Sequence, residues 1–298
     1  MRKSIKKITA SFIAIIMLLC MANVVAFAAN EKTMSINLRV EGISSNVYYK
    51  TIRVPYTDEL TLKEALLYIS GNDKNLTIKG LETNYITEIN GEAAGKFGGW
   101  DGWLFKVNNK DLTDGIDSVN LSNGDNILFY YGDPFGVGMQ FPAADISDIE
   151  NGIIKFTSKD VTYDMSGSPS EKINPVSGMT VVWGYGNSTV NYVTDENGAI
   201  KIDEDKLTAG KHSLQVSKYA DNGLPLVLRF APDCSIIIEE KQDAGNDVTE
   251  PENVPNNNKN APTNDIYIIY YVLMSGSFAA IFIFAAKKSS VKDKISNK

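Results

Sequence analysis

The sequence predicts a mainly β protein: one α+β unit, then a two-sheet β-sandwich, then one C-terminal transmembrane helix. Three observations predict it. A single stretch of the body carries helix periodicity, at Leu62, Ala65, Leu66 and Ile69. Short strand-like runs separated by turn residues fill the rest of 33–240. The run Ile266 to Ala286 holds no charged residue and is long enough to cross about 30 Å of hydrocarbon as a helix. A length of 298 residues corresponds to roughly two domains. At 43% hydrophobic and 22% charged residues, the chain can bury a core.

The N-terminus has the three parts of a secretory signal peptide, expected to span 1–28. Basic residues Arg2 to Lys7 precede an apolar run from Ile8 through Val25, and Ala26-Phe27-Ala28 supplies the small–x–small cleavage pattern. Cys20 does not mark a lipoprotein, because Leu19 stands before it where a small residue is needed. Cleavage removes Cys20 and leaves Cys234 as the one thiol, so no internal disulfide is expected.

Within the body, Ser35 to Val40 alternates polar and apolar residues as a half-buried strand does. Tyr49 to Val54 is a second strand, stopped by Pro55. Thr61 and Glu64 then form a capping box ahead of the helix, which Gly71 closes. Strands follow at 85–89, 103–107 and 127–131, with turns at Asn90-Gly91, Asn108-Asn109 and Gly124-Asp125. Two strands, a helix and further strands over 33–135 is β-grasp order.

Residues 145–240 lack helical periodicity. Strands are expected at 153–157, 179–183, 189–193, 199–202, 213–217, 226–230 and 235–238, separated by turns such as Asp195-Glu196-Asn197-Gly198. Seven short strands in so few residues fit a sandwich of two sheets. After it, 241–265 is rich in Asn, Asp, Glu and Pro and reads as a flexible stalk. Residues 266–286 form the membrane helix and 287–298 a basic cytoplasmic tail, which places the body outside.

Charge and composition narrow the function. The net charge of −7 divides into +4 at residues 1–7, +4 at 287–298 and −15 between them. A body that acidic repels phosphate backbones, so nucleic acid is not an expected partner. Two cysteines and one histidine exclude a Cys/His zinc site and a His-based catalytic repertoire. The expectation is a protein that is not an enzyme and needs no cofactor. His212 reads as an ordinary, partly exposed side chain. The acid groups Asp203-Glu204-Asp205 and Asp111/Asp114/Asp117 lack the EF-hand glycine and twelfth-position glutamate and read as solvated turns. Gly132-Asp133-Pro134-Phe135-Gly136-Val137-Gly138 lacks the lysine and the helix of a phosphate loop.

Two segments carry a resemblance. Gly99-Trp100-Asp101-Gly102-Trp103-Leu104-Phe105-Lys106-Val107-Asn108-Asn109, then Leu121-Ser122-Asn123-Gly124-Asp125 with Gly115-Ile116 between, resemble the bacterial domain family named after the C-terminal β-domain of transcobalamin. In the vitamin carriers that domain closes one face of a corrinoid, so the resemblance implies capture of a cobalamin-like ligand, with a membrane transporter as partner. The stretch from Val193 to Ile200 and then Leu207 to Leu214 is similar to carboxypeptidase-regulatory-like and Ig-like modules, which are spacers or adhesion modules. The order of signal, body, stalk, apolar helix and basic tail resembles Gram-positive surface proteins. Asn260-Ala261-Pro262-Thr263-Asn264 departs from the sortase pentapeptide, so membrane anchoring is expected over wall attachment.

The residues expected to bind ligand are Phe97, Gly98, Gly99, Trp100, Asp101, Trp103, Tyr130 and Tyr131. Glycines let the backbone approach a flat ligand and tryptophans supply contact area. Trp103 alternates with Phe105 as a core residue of its strand would, which makes Trp100 the stronger contact. One tyrosine of the Tyr130-Tyr131 pair is expected to face out. The expected function is non-enzymatic capture of a small molecule at the cell surface. The alternative is an adhesion or structural module that binds a polymer or protein.

Overall fold

The computed structural model describes residues 32–56, 58–112, 114–135, 138–163, 166, 168–239 and 271–273. These residues are mainly β with one α-helix. They divide into two compact units. One holds the described residues up to Gly42 with Val47–Ala94 and Phe105–Phe129; the other holds Ile43–Asn46, Gly95–Leu104 and the described residues from Tyr130 on.

In the first unit, β1 (Lys32–Glu41) and β2 (Asn46–Tyr56) begin the sheet. Met34, Ile36, Leu38 and Val40 of β1 are buried at every second position. Pro55 does not stop β2, which runs to Tyr56. The strand lies at the sheet edge, the position at which a sheet tolerates proline. Helix α1 (Leu62–Asn72) starts at the expected capping box, with Thr61 Oγ1 accepting from Glu64 N and the Glu64 carboxylate accepting from Thr61 N. Its buried residues are the expected four, Leu62, Ala65, Leu66 and Ile69. Gly71 is not its terminator: the helix continues to Asn72 and ends where Asp73 turns extended, with Asp73 N donating to Ile69 O.

The short strands β3 (Ile78–Lys79), β4 (Glu88–Ile89) and β5 (Glu92–Ala93) form a small sheet of their own. The strand expected at 85–89 is thus reduced to its last two residues. Tyr85 to Thr87 are a loop pinned by Thr87 N donating to Lys79 O. Strands β6 (Gly102–Val107) and β7 (Lys110–Asp111) pair antiparallel around Asn108 and Asn109, both at positive φ, as a type I′ turn requires. With β8 (Asn126–Gly132) they complete a five-stranded sheet in the order β2-β1-β8-β6-β7. Every residue of β8 is buried.

The second unit contains β9 (Pro142–Asp145), β10 (Ile153–Tyr163), β11 (Pro169–Pro175), β12 (Thr180–Tyr185), β13 (Ser188–Val193), β14 (Ala199–Lys201), β15 (Gly210–Ser217) and β16 (Ser235–Ile238). It also takes in β17 (Tyr271–Leu273). One sheet runs β11-β10-β14, with β9 also on β10; the other runs β13-β12-β15-β16-β17. Ile154, Phe156 and Ile200 from the first sheet share one core with Val181, Trp183, Leu214, Val216 and Ile236 from the second. Strands of the two sheets thus contribute to one apolar core.

Several expectations change here. Leu226 to Phe230 is no strand: only isolated bridges occur, at Gln140–Val227 and Tyr219–Pro225. Its apolar character comes from burial of Val227, Leu228 and Phe230, not from a ladder. Strands β9 and β11 had no sequence signal; β11 is almost wholly exposed and so lacks the apolar alternation that reveals a strand. His212 is fully buried, not partly exposed, because it sits in β15 with its ring stacked between Trp183 at 4.6 Å and Tyr185 at 4.8 Å. Of the apolar run 266–286, the described part is β17, which pairs antiparallel with β16 and is extended, not helical. Among the described residues no helix is long and apolar enough to cross a membrane. The signal segment 1–28, the stalk 241–265, the remainder of 266–286 and the tail 287–298 lie outside the described residues.

Candidate functional site

Residues Gly95 to Leu104 and Tyr130 to Phe135, which hold every residue expected to bind ligand, belong to the second unit. The loop is tight: Gly95 N donates to Asp101 O at 2.7 Å and Gly98 N to Gly95 O at 3.3 Å. Gly98 sits at φ 82, a conformation that glycine adopts without strain.

Asp101 is the organiser of this loop. Its side chain is buried and accepts from Phe97 N at 3.0 Å, Gly99 N at 3.1 Å and Tyr131 Oη at 2.5 Å. The Tyr131 hydroxyl also accepts from Lys96 N at 3.2 Å. Burial pushes the Asp101 carboxyl up, but the bonds from Tyr131, Phe97 and Gly99 outweigh it and hold the group below the usual aspartate value. Asp101 therefore stays ionised while facing inward.

Beneath the loop, Tyr131 packs edge-on against Phe97 at 5.9 Å and Trp103 at 5.5 Å. Ile43 and Leu224 complete this small core. Tyr130 is buried as well, edge-on to Phe141 at 5.4 Å. The expectation that one tyrosine of the pair faces out is corrected: alternation exposes every second residue only when one face of a sheet meets water, and β8 is covered on both faces. Trp103 is half-buried against Tyr131, as the core reading of its strand foresaw.

What faces outward is Trp100, 76% exposed, and against it Phe135, 79% exposed. These are the two most exposed large apolar side chains among the described residues. Their rings stand nearly perpendicular, at 78°, with centroids 6.0 Å apart. Asp133 ties the two ring-bearing segments together. Its Oδ1 accepts from Phe135 N at 3.0 Å, and its Oδ2 lies at Gly99, where an added β-carbon would stand 3.2 Å from it. Of the eight residues expected at the site, Gly98, Gly99 and Trp100 reach the surface, Phe97 and Trp103 are half-buried, and Asp101, Tyr130 and Tyr131 are buried beneath it.

Sequence reading missed Phe135 and Asp133. The available signal was a lone aromatic in a Pro/Gly loop, Asp133-Pro134-Phe135, the same signature that singled out Trp100.

A depression of about 330 Å³ in the first unit is lined by Tyr48, Lys50, Arg53, Tyr68 and Asp73 among others, and by none of the expected residues. There Asp73 accepts from Lys50 Nζ at 2.6 Å and Tyr48 Oη at 2.9 Å, and the Lys50 bond foremost holds its carboxyl well below the usual range. The acid groups read as turns make ordinary contacts: Asp111 pairs with Lys106 and Asp205 with Lys206. Among the described residues no three His, Cys, Asp or Glu side chains are grouped to hold a metal.

Residues 65–133 match the family described as "Domain of unknown function (DUF4430)", a transcobalamin-like family domain. The match takes in Phe97 through Tyr131 and ends at Asp133. No curated protein matches the chain.

Proposed function

We propose that this chain is a non-enzymatic, extracellular ligand-binding surface protein whose ligand lies on the Trp100–Phe135 surface. The observation that carries the reading is the exposure of Trp100, on a loop held from beneath by the Asp101–Tyr131 bond, with Phe135 exposed against it. A rigid loop that presents aromatic area to water loses little entropy on binding. In this reading 1–28 direct export, residues 266–286 anchor the chain as a membrane helix, and Tyr271–Leu273 leave the β16 edge on insertion. The sheet order β2-β1-β8-β6-β7 with one helix supports a β-grasp assignment for the first unit, and the two-sheet core supports an Ig-like spacer.

The transcobalamin likeness points toward a corrinoid. The exposure of the two rings favours instead a ligand displayed on a surface polymer, because an enclosed small molecule is usually buried over most of its area. Full-length protein in detergent, titrated with cobalamin and sedimented with isolated cell-wall polymer, separates the two. Heat with cobalamin that Trp100→Ala abolishes supports the corrinoid; retention on the wall lost in the same variant supports the polymer. Neither signal, or signals that Trp100→Ala leaves intact, overturns the proposal.

A further inference from the structure

The proposed surface has a chemistry of its own, and the inference drawn from it rests on that reading of Trp100 and Phe135. The two rings stand edge-to-face at 78° with centroids 6.0 Å apart, so a group set beside the ring that points its edge lies on that ring's open face and next to the second ring. An aromatic face is the negative end of a ring quadrupole, and an open face that is exposed to water attracts a compact cation. The same arrangement is poor for a planar ligand, which stacks on one flat platform.

The surroundings have the matching charge. Asp133 joins the two ring-bearing segments and places a carboxylate oxygen at Gly99, the residue before Trp100. Beneath the loop Asp101 is held ionised. The loop's own cation, Lys96, is outnumbered by these two acids, and the chain between residues 8 and 286 carries −15. Low-charge-density cations lose little hydration when they leave water for an aromatic face, whereas a bare ammonium is held back by strong hydration.

We infer that the group recognised between Trp100 and Phe135 is an alkylated ammonium, such as a trimethylammonium substituent, with Asp133 as its counter-charge. Fold, rings and carboxylate each contribute: the loop sets the angle, the rings supply the open face and its neighbour, and the acid gives preference for a cation over its uncharged shape-mimic.

The test compares choline with 3,3-dimethylbutan-1-ol, its neutral isostere, on full-length protein at fixed ionic strength. Calorimetry and tryptophan fluorescence give the readouts; Trp100 is the most exposed tryptophan. Choline is expected to bind about two- to fivefold tighter than the isostere, the order that cation–π contact supplies at an exposed site. Asp133→Asn keeps an oxygen acceptor for Phe135 N and removes the charge, so the ratio falls toward unity while the fold is retained. Trp100→Ala removes binding of both probes. Equal affinity for the two probes, lost together in Trp100→Ala, overturns the ammonium inference and leaves the binding surface standing. Wall polymer retained through Trp100 with no response to choline does the same. Loss of every Trp100-dependent signal, polymer and cobalamin included, overturns the surface itself.

Discussion

Tyr131 Oη donates to Asp101 Oδ2 at 2.5 Å, joining the end of β8 to the turn that carries Trp100. Both side chains are buried. The bond fastens the glycine-rich loop from below, and the same carboxylate also takes the N–H groups of Phe97 and Gly99. Asp101 and Tyr131, both expected as ligand contacts, thus lie buried beneath the loop instead.

Tyr131→Phe deletes this donor and leaves a buried carboxylate with one bond fewer, a cost of about 1–3 kcal/mol. Urea denaturation of the variant is expected to show that loss. Because folding lowers the Asp101 pKa, its contribution is present above the unfolded aspartate value and fades as pH falls through the folded one. In Asp101→Asn this acid-limb component disappears from the stability–pH curve.

His212 gives a second pH dependence at higher pH. Its Nε2 contacts Thr208 O at 2.6 Å, its Nδ1 has no hydrogen-bond partner, and burial foremost lowers its pKa below the ordinary histidine value. Folding therefore disfavours the proton. Above the unfolded histidine pKa, about 6.5, the effect is absent; as pH falls below it the unfolded state gains protons and stability declines. Thermal melting between pH 7.5 and pH 5.5 is expected to show this fall. His212→Phe, which keeps the stack between Trp183 and Tyr185, is expected to flatten the curve.

Helix α1 separates capping from burial. Thr61→Ala removes the cap and is expected to cost about 1 kcal/mol. Leu66→Ala opens a cavity at a fully buried position and is expected to cost about 2–5 kcal/mol. Chemical denaturation of both variants that gives the reverse order shows that α1 does not bury its apolar stripe as described.

Gly198 and Gly91 both sit at positive φ, +73 and +85. At Gly91 an added β-carbon meets nothing, so Gly91→Ala is expected to cost only the left-handed strain, about 1–2 kcal/mol. At Gly198 the same carbon would lie 2.3 Å from Phe156 O, and the backbone there has to move. Gly198→Ala is expected to destabilise distinctly more in parallel denaturation curves.

Local signals read well where local physics decides. The capping box at Thr61 and Glu64, the stripe from Leu62 to Ile69 and the Asn108-Asn109 turn all depend on residues a few positions apart, and each appears in the structure. Pro55 misled because its effect depends on whether the strand is central or at an edge, which no single strand records. Leu226 to Phe230 misled because apolar residues report burial, and burial does not require a ladder.

The site divides along the same line. Composition left one histidine and two cysteines as the candidates for histidine catalysis or a Cys/His metal site, and the Gly-Gly-Trp run marked the exposed loop. Tertiary structure alone decided that Asp101 and Tyr131 turn inward, that Tyr130 and Tyr131 are both covered, and that Phe135 meets Trp100 across thirty-five positions of chain. The reason is physical: short-range periodicity reports which face of an element is apolar, while the partner that covers a side chain comes from remote sequence and is chosen only when the chain folds.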